Sequence, residues 1–252
     1  MKLRLDRLLL QRGLVPSRER AQALILAGRV LVNEQKLAKA GASVSDDAAI
    51  RILGEDLPYV SRGGLKLAGA LEHWHIDVTG KSCLDIGSST GGFAHCLLKA
   101  GAARVIAVDT GYGQMDANLR KDPRVRLLEK TNARYLTFEQ IGEPVGLIAI
   151  DVSFISATLV LAAVVRCAGS PSTAFDLVVL VKPQFEVGRK QVGKGGIVRD
   201  PHAWQSAVAR VVKAVEELGG SCIEVIESPI LGAEGNREFL LHARFGPEPA
   251  RP

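Results

Sequence analysis

Four ionisable residues stand where apolar segments begin or end: Lys66 in "SRGGLKLAGAL", Asp151 in "LIAIDVSFIS", Lys182 in "FDLVVLVKPQFEVG" and Glu238 in "GNREFLLHARF". A flexible ion at the mouth of a hydrophobic run is costly to desolvate unless it is paired. Taken singly, each reads as a surface residue or an ordinary ion pair. An Asp and a Lys at consecutive strand ends can do more. A lysine whose pKa is lowered by burial and by a second cation can serve as a general base, with carboxylates to orient it and balance its charge. Such a group could take a proton from a hydroxyl during an in-line displacement, provided the reacting atoms are aligned.

The elements that must position these groups follow from residue 81 onward, where strands alternate with helices and predict a parallel, doubly wound α/β sheet. "KSCLDIGSSTGGFAHCLLKAGAARVIAVD" reads as a strand over 83–86, a Gly-rich turn, a helix over about 93–100, and a second strand over 105–108 ending in Asp109. In open α/β sheets the ligand crevice lies at the carboxyl ends of the strands. Asp151 and Lys182 are therefore expected beside whatever the turn holds. The turn is D-x-G-x-x-x-G-G-F, not the G-x-G-x-x-G of dinucleotide folds. Its acid, Asp85, repels a pyrophosphate and suits a cationic ligand with an amino-acid tail, which describes S-adenosylmethionine. The turn residues Gly87, Ser88, Ser89, Thr90, Gly91, Gly92 and Phe93 are the expected cradle. Asp109 is placed to take ribose hydroxyls, Asn132 in "KTNAR" to border adenine, and Asp151 to lie beside the methyl group. No metal is required, and no ligand cluster suggests one.

The charge of the 252 residues is uneven. Net charge is +5, yet residues 1–39 hold nine Lys/Arg against three acids, which leaves the remainder nearly neutral. A basic head on a neutral body predicts a polyanionic partner gripped at one end. "RLDRLLLQRG" sets Leu5, Leu8 and Leu9 on one helical face and ends at Gly13; a second helix is capped by Ser17 and closed by Gly28. "RVLVNEQKL" and "AAIRIL" complete a small sheet. The expected organisation is a basic domain over 1–57, a linker over 58–65, a main domain over 66–246 and a tail over 247–252. The scattered cysteines 83, 96, 167 and 222 fit buried thiols in a reducing cytoplasm, and a cytoplasmic location is expected. The apolar stretch 146–165 contains Asp151 and reads as a strand running into a buried helix, not a membrane span.

"RLDRLLLQRGLVPSRERAQALILAGRVLVNEQ" resembles the RNA-binding module named after small-subunit ribosomal protein four. The resemblance implies RNA phosphate contacts from Arg4, Arg7, Arg18, Arg20 and Arg29, to which Arg62 and a mobile basic loop over 187–201 with Lys190 and Lys194 are added. "YVSRGGLKL", "DIGSSTGGF", "IDVSFIS", "LVKPQFEVG", "GKGGIVRD" and "GNREFLLH" resemble the TlyA (haemolysin A) family, relatives of the FtsJ-like RNA ribose methyltransferases. That likeness implies a Rossmann-like class I S-adenosylmethionine-dependent methyltransferase and 2′-O-methylation of ribosomal RNA, in particular cytidine ribose. It also implies a catalytic Lys–Asp–Lys–Glu set matching Lys66, Asp151, Lys182 and Glu238, with Lys182 the expected base. The chain departs at Ala94-His95, where a small hydroxyl residue and an acid are expected, and His95 receives no role. Three rivals make other predictions. A membrane-active lytic protein needs an amphipathic or spanning helix or secretion, a binding-only protein needs a broken turn or charge set, and a protein or DNA methylase has no need of the lysine pair. Ribosomal RNA or its subunits are the expected partners, with oligomeric state open.

Overall fold

In the computed structural model, residues 2–15, 17–53, 58–169, 173–232 and 235–247 are described. They fall into two units, Met1–Asp56 and Leu57–Pro252. In the first, β1 (Lys2–Arg4) runs into α1 (Leu5–Gln11), which buries Leu5, Leu8 and Leu9 against Leu24 and Ile25 of α2 (Arg18–Leu26). Ser17 caps α2, its hydroxyl accepting from the Arg20 N–H at 3.2 Å. Then come β2 (Val30–Val32), β3 (Gln35–Lys36), β4 (Ser43–Ser45) and β5 (Ile50–Ile52). The sheet order is β3-β2-β5, and Asn33 and Glu34 form the β2–β3 turn with φ of 50° and 62°. A separate antiparallel pair, β1 with β4, was not anticipated; three residues per strand give too little periodicity to read.

The second unit begins with α3 (Gly63–His73), followed by β6 (Ser82–Ile86), α4 (Gly92–Lys99), β7 (Arg104–Val108), α5 (Ala117–Lys121) and β8 (Val125–Leu128). After them come α6 (Phe138–Ile141), β9 (Leu147–Ile150), α7 (Thr158–Arg166), β10 (Phe175–Val181), α8 (Pro183–Glu186), α9 (Pro201–Glu217), β11 (Ser221–Glu227) and β12 (Phe239–Phe245). The helix α3 opens inside the 58–65 stretch expected to be linker, because Gly63, Gly64 and Leu65 already form its first turn. Residues 54–57, the end of the expected basic domain, and 248–252, most of the expected tail, lie outside the described residues.

The seven strands are ordered β11-β12-β10-β9-β6-β7-β8. The sheet is doubly wound as expected, with one departure from its parallel run: β12 runs antiparallel to both β10 and β11. Side chains alternate between two cores, as period-two strands require. Leu84, Ile86, Ile106, Ile148 and Ile150 pack with α7 and α9 residues such as Leu161 and Val211. Cys83, Val105, Ala107, Leu147 and Ala149 pack with Leu67 and Leu71 of α3 and Leu97 of α4. The apolar 146–165 stretch is β9 and α7, and no helix among the described residues is long and apolar enough to cross a membrane. Cys83, Cys96 and Cys167 are buried, but Cys222 is exposed at the irregular start of β11.

Candidate active site

Lys66 stands at a junction built from facing glycines. Gly63 and Gly64 open α3, and Gly91 and Gly92 open α4. A Cβ on Gly92 would overlap the Ser61 hydroxyl and press the Gly64 nitrogen at 3.1 Å, and one on Gly64 would overlap the Tyr59 ring. Side chains at these positions would push the two helix starts apart and carry Lys66 away from the turn. The approach to α3 is bolted to α4: the Val60 N–H donates to His95 Nδ1 at 3.1 Å, and Lys99 Nζ donates to the Pro58 carbonyl at 2.7 Å. His95 thus acquires an architectural role, and burial lowers its pKa.

Two lysine–carboxylate pairs meet on the wall of one cavity of about 610 Å³. Lys66 Nζ donates to Glu238 Oε2. Glu238 is 2% exposed, and its carboxylate fills the space a Cβ on Gly232 would occupy. Lys182 Nζ lies 2.5 Å from Asp151 Oδ1 and donates to Ser153 Oγ at 2.8 Å. The convergence depends on strand direction. Asp151 and Lys182 follow the ends of neighbouring parallel strands β9 and β10, whereas Glu238 precedes the reversed strand β12, whose Phe239 pairs with Val181.

A second cleft of about 380 Å³ adjoins the first and shares Gly87, Ser89, Asp151, Ser153 and Phe154 with it. Gly87 has φ of +84°, and a Cβ there would strike the Asp151 carbonyl. Asp109 is held rigidly, Oδ2 accepting from the Ser89 N–H at 2.8 Å and Oδ1 from the Gly111 N–H at 2.6 Å. Lone pairs remain on both oxygens for a diol. Asn132 lines the same cleft, its Oδ1 accepting from the Arg134 N–H at 3.1 Å. Ser88, Thr90, Gly92 and Phe93 line the larger cavity.

Two of the expected cradle residues are not on either wall. Gly91 caps α4 with φ of +93°, and a Cβ there would meet Leu119 at 2.5 Å, so its work is in the turn. Asp85 is fully buried beneath the turn, and neither oxygen makes a hydrogen bond of normal geometry. Burial first, then the charge of Asp151, pushes its pKa up to about 8, opposed by the Ala94 N–H. A carboxyl with a raised folded-state pKa stabilises the fold fully below its unfolded pKa of about 4. That contribution is lost as pH rises through about 8. Asp85→Asn is accordingly expected to melt about 3 °C or more above the parent chain at pH 9, with the gap narrowing at pH 5. Thermal melts at the two pH values check it.

The residues expected on RNA divide into two groups. Arg4 donates to both oxygens of buried Asp6 at 3.0 and 2.9 Å, Arg18 adds a bond to Oδ2 at 3.0 Å, and Arg29 Nε donates to the Leu53 carbonyl at 2.7 Å. These three hold the fold of their own unit. Arg7, Arg62, Lys190 and Lys194 are exposed, Arg20 is half-buried, and Arg62 borders the larger cavity. The 187–201 loop, expected to be mobile, is folded into turns and pinned by buried Asn236. That side chain donates to the Gly196 carbonyl at 3.0 Å and accepts from the Val198 N–H at 3.1 Å. Sequence reading passed over Ser153, Phe154, Phe185 and Asn236 as cavity residues. The first two lie within the quoted "IDVSFIS", next to Asp151, which was the available signal.

Residues 59–245 match the FtsJ-like methyltransferase family and residues 3–50 match the S4 domain. The chain is 48% identical over 96% of its length, and 90% of the relative's, to the 16S/23S rRNA (cytidine-2′-O)-methyltransferase TlyA of Mycobacterium tuberculosis. It is 39% identical to hemolysin A of Brachyspira hyodysenteriae over 95% of this chain and 99% of that protein. A solved structure from Streptococcus thermophilus, assigned as a hemolysin, superposes with a TM-score of 0.75 at 39% identity, covering 98% of this chain and 90% of that one. Joined to the glycine turn and the two lysine–carboxylate pairs, these matches show that the chain belongs to the TlyA family of FtsJ-like methyltransferases and carries an S4 domain at its start.

Proposed function

We propose that this protein transfers a methyl group from S-adenosylmethionine to the 2′-hydroxyl of a cytidine in ribosomal RNA. The observation that carries this reading is the convergence of Lys66–Glu238 and Lys182–Asp151 on one cavity wall beside a glycine-lined cleft. The cleft suits the cofactor: glycine at position 87 keeps the floor open, and Asp109 presents a fixed carboxylate to ribose hydroxyls. When bound, the cofactor supplies a methyl group that is already electrophilic. Lys182, as the neutral amine, takes the proton from the target hydroxyl and becomes the ammonium, held in place by Asp151 and Ser153. Lys66, fixed by Glu238, sets positive charge near the oxygen as it becomes anionic. Exposed Arg7, Arg62, Lys190 and Lys194 supply salt-dependent contacts to the phosphate backbone. The test incubates the protein with methyl-labelled S-adenosylmethionine and separated ribosomal subunits, then identifies labelled nucleosides by mass spectrometry. A 2′-O-methylcytidine supports the reading; a protein that binds cofactor and labels no RNA overturns it.

Phe154 gives this reading a second handle. It is 90% exposed, adopts a left-handed φ of 65°, borders both cavities and touches the Phe185 ring at 5.3 Å between centroids. A bulky residue rarely holds that backbone conformation in the open. Its face is free to stack on the target base, an interaction of about 1–3 kcal/mol. Phe154→Ala is expected to raise the KM for RNA about tenfold, with a smaller change in cofactor affinity because the ring also borders the cofactor cleft. Steady-state kinetics beside a cofactor titration check it.

A further inference from the structure

The two loops that carry Lys182 and Asp151 are joined by one buried side chain outside the catalytic set. Glu186 ends α8, the single turn that Lys182 begins, and is 3% exposed. Its Oε1 accepts from the Ala157 N–H at 2.7 Å, and its Oε2 accepts from the Ser156 hydroxyl at 2.5 Å. Both partners lie at the start of α7, just beyond the Asp151–Ser153 segment, and the Ala157 cap position has no side-chain acceptor of its own. Glu186 therefore caps α7 from another part of the chain. Its own carbonyl accepts from Arg210 Nη1 at 2.5 Å, which ties the same point to α9.

We propose that Glu186 is the positioning residue that fixes the spacing between Lys182 and its partners Asp151 and Ser153. The proposal rests on the methyl-transfer reading above. Lys182 reaches across from one strand end to two groups on the next, so its amine is aligned only while the two loops keep their separation. The 182–186 turn has Lys182 at one end and the α7 cap at the other. Its path is set by the Glu186 carboxylate on one side and the Arg210 bond on the other. Phe154 and Phe185 meet between the same loops, but as a tilted ring contact with one exposed partner they give little directional restraint. The carboxylate is the directional restraint, with two short hydrogen bonds in a water-excluded setting. Burial raises its pKa, while the Ser156 and Ala157 bonds oppose that rise. The function assigned here is acceptance of hydrogen bonds, which a neutral amide oxygen can also perform at the Ala157 N–H.

A positioning role makes predictions that a merely structural one does not. In Glu186→Ala the kcat for RNA methylation is expected to fall about 30-fold, since small misplacements of a reacting group are costly. The KM for RNA and the dissociation constant for S-adenosylmethionine are expected to stay unchanged, because the residue touches neither cavity. Glu186→Gln retains an acceptor for Ala157 and is expected to restore kcat to within about fivefold of the parent. Should the alanine variant not fold, Ser156→Ala takes its place: it removes the Oε2 donor, leaves the Ala157 bond, and is expected to lower kcat alone by a smaller factor. Parent-level kcat in Glu186→Ala and Ser156→Ala overturns the proposal. So does a loss that appears in KM, or a glutamine variant as impaired as the alanine. If the parent chain itself makes no 2′-O-methyl product, the methyl-transfer reading is what has failed.

Discussion

Replacing Lys182 with alanine is expected to lower methyl transfer by about 10²–10⁴-fold, the usual contribution of a general base, with cofactor and RNA affinity retained. The amine is held by Asp151 at 2.5 Å and Ser153 at 2.8 Å, and both partners stay in place when it is removed. The Asp151 side chain is 20% exposed, so water can reach the carboxylate that loses its partner. The corresponding change at Lys66 is a harsher experiment. It strands Glu238, 2% exposed, with its charge buried, and loss of fold would mix with loss of chemistry. Lys182→Arg is expected to fail as a rescue, because a guanidinium cannot release a proton to become a base. Single-turnover transfer of labelled methyl, run beside an equilibrium cofactor titration, separates the chemical step from binding. Parent-level turnover in the alanine variant assigns the proton to another group.

The second large effect is expected at Asp6, far in sequence from the catalytic groups. Asp6→Ala is expected to destabilise the N-terminal unit by about 3 kcal/mol, at the lower end for breaking a buried ion pair. The carboxylate is fully buried and accepts from Arg4, Arg18 and Gln22, so its loss removes the common acceptor of three side chains. The arginines are 47% and 42% exposed and can turn to water, which limits the cost. A unit of this size has little stability to lose. The Arg4 hydrogen bonds hold the Asp6 carboxyl well below the usual carboxylate range, against the opposing effect of burial. A depressed folded-state pKa contributes stability that is present above the unfolded value of about 4 and is lost as pH falls towards the folded one. Hydrogen exchange of residues 5–50 in the full chain should therefore rise in Asp6→Ala at pH 7, and in the parent chain only in strong acid. Arg18→Ala should likewise loosen this unit, whereas Arg7→Ala should reduce the salt dependence of RNA binding by about one unit of slope. Equal exchange in parent and Asp6→Ala would show that the cluster is dispensable.

Much of this arrangement could be read before any coordinates, and the exceptions have physical causes. The strand–turn–helix–strand–Asp unit around Asp85 and Asp109 is local, and local glycine and strand patterns announce it. Strand direction is not local. β12 has the same alternation whichever way it runs, so its reversal appears only when it pairs with β10 and β11. The pairing of Lys66 with Glu238 came from likeness to a family, since 172 residues separate them. The basic head was legible as charge, but charge does not say which cations are already taken. Arg4, Arg18 and Arg29 are taken by the fold. Glu186 was visible in "KPQFEVG", yet its meaning depends on the start of α7, which sequence spacing does not bring near.

The reversed strand also sets the order in which this enzyme can come into being. Lys66, Asp151 and Lys182 are all made before Glu238, and the residues of β12 that bring Glu238 to them pair on one side with β10 and on the other with β11. Contacts closed over such long loops form slowly. While the chain is still emerging during its own synthesis, the lysine nearest the glycine turn has no carboxylate partner and the cavity lacks one wall. Competence for chemistry therefore arrives with the last strand, and a polypeptide stopped short of Phe239–Phe245 is a fold without an active centre.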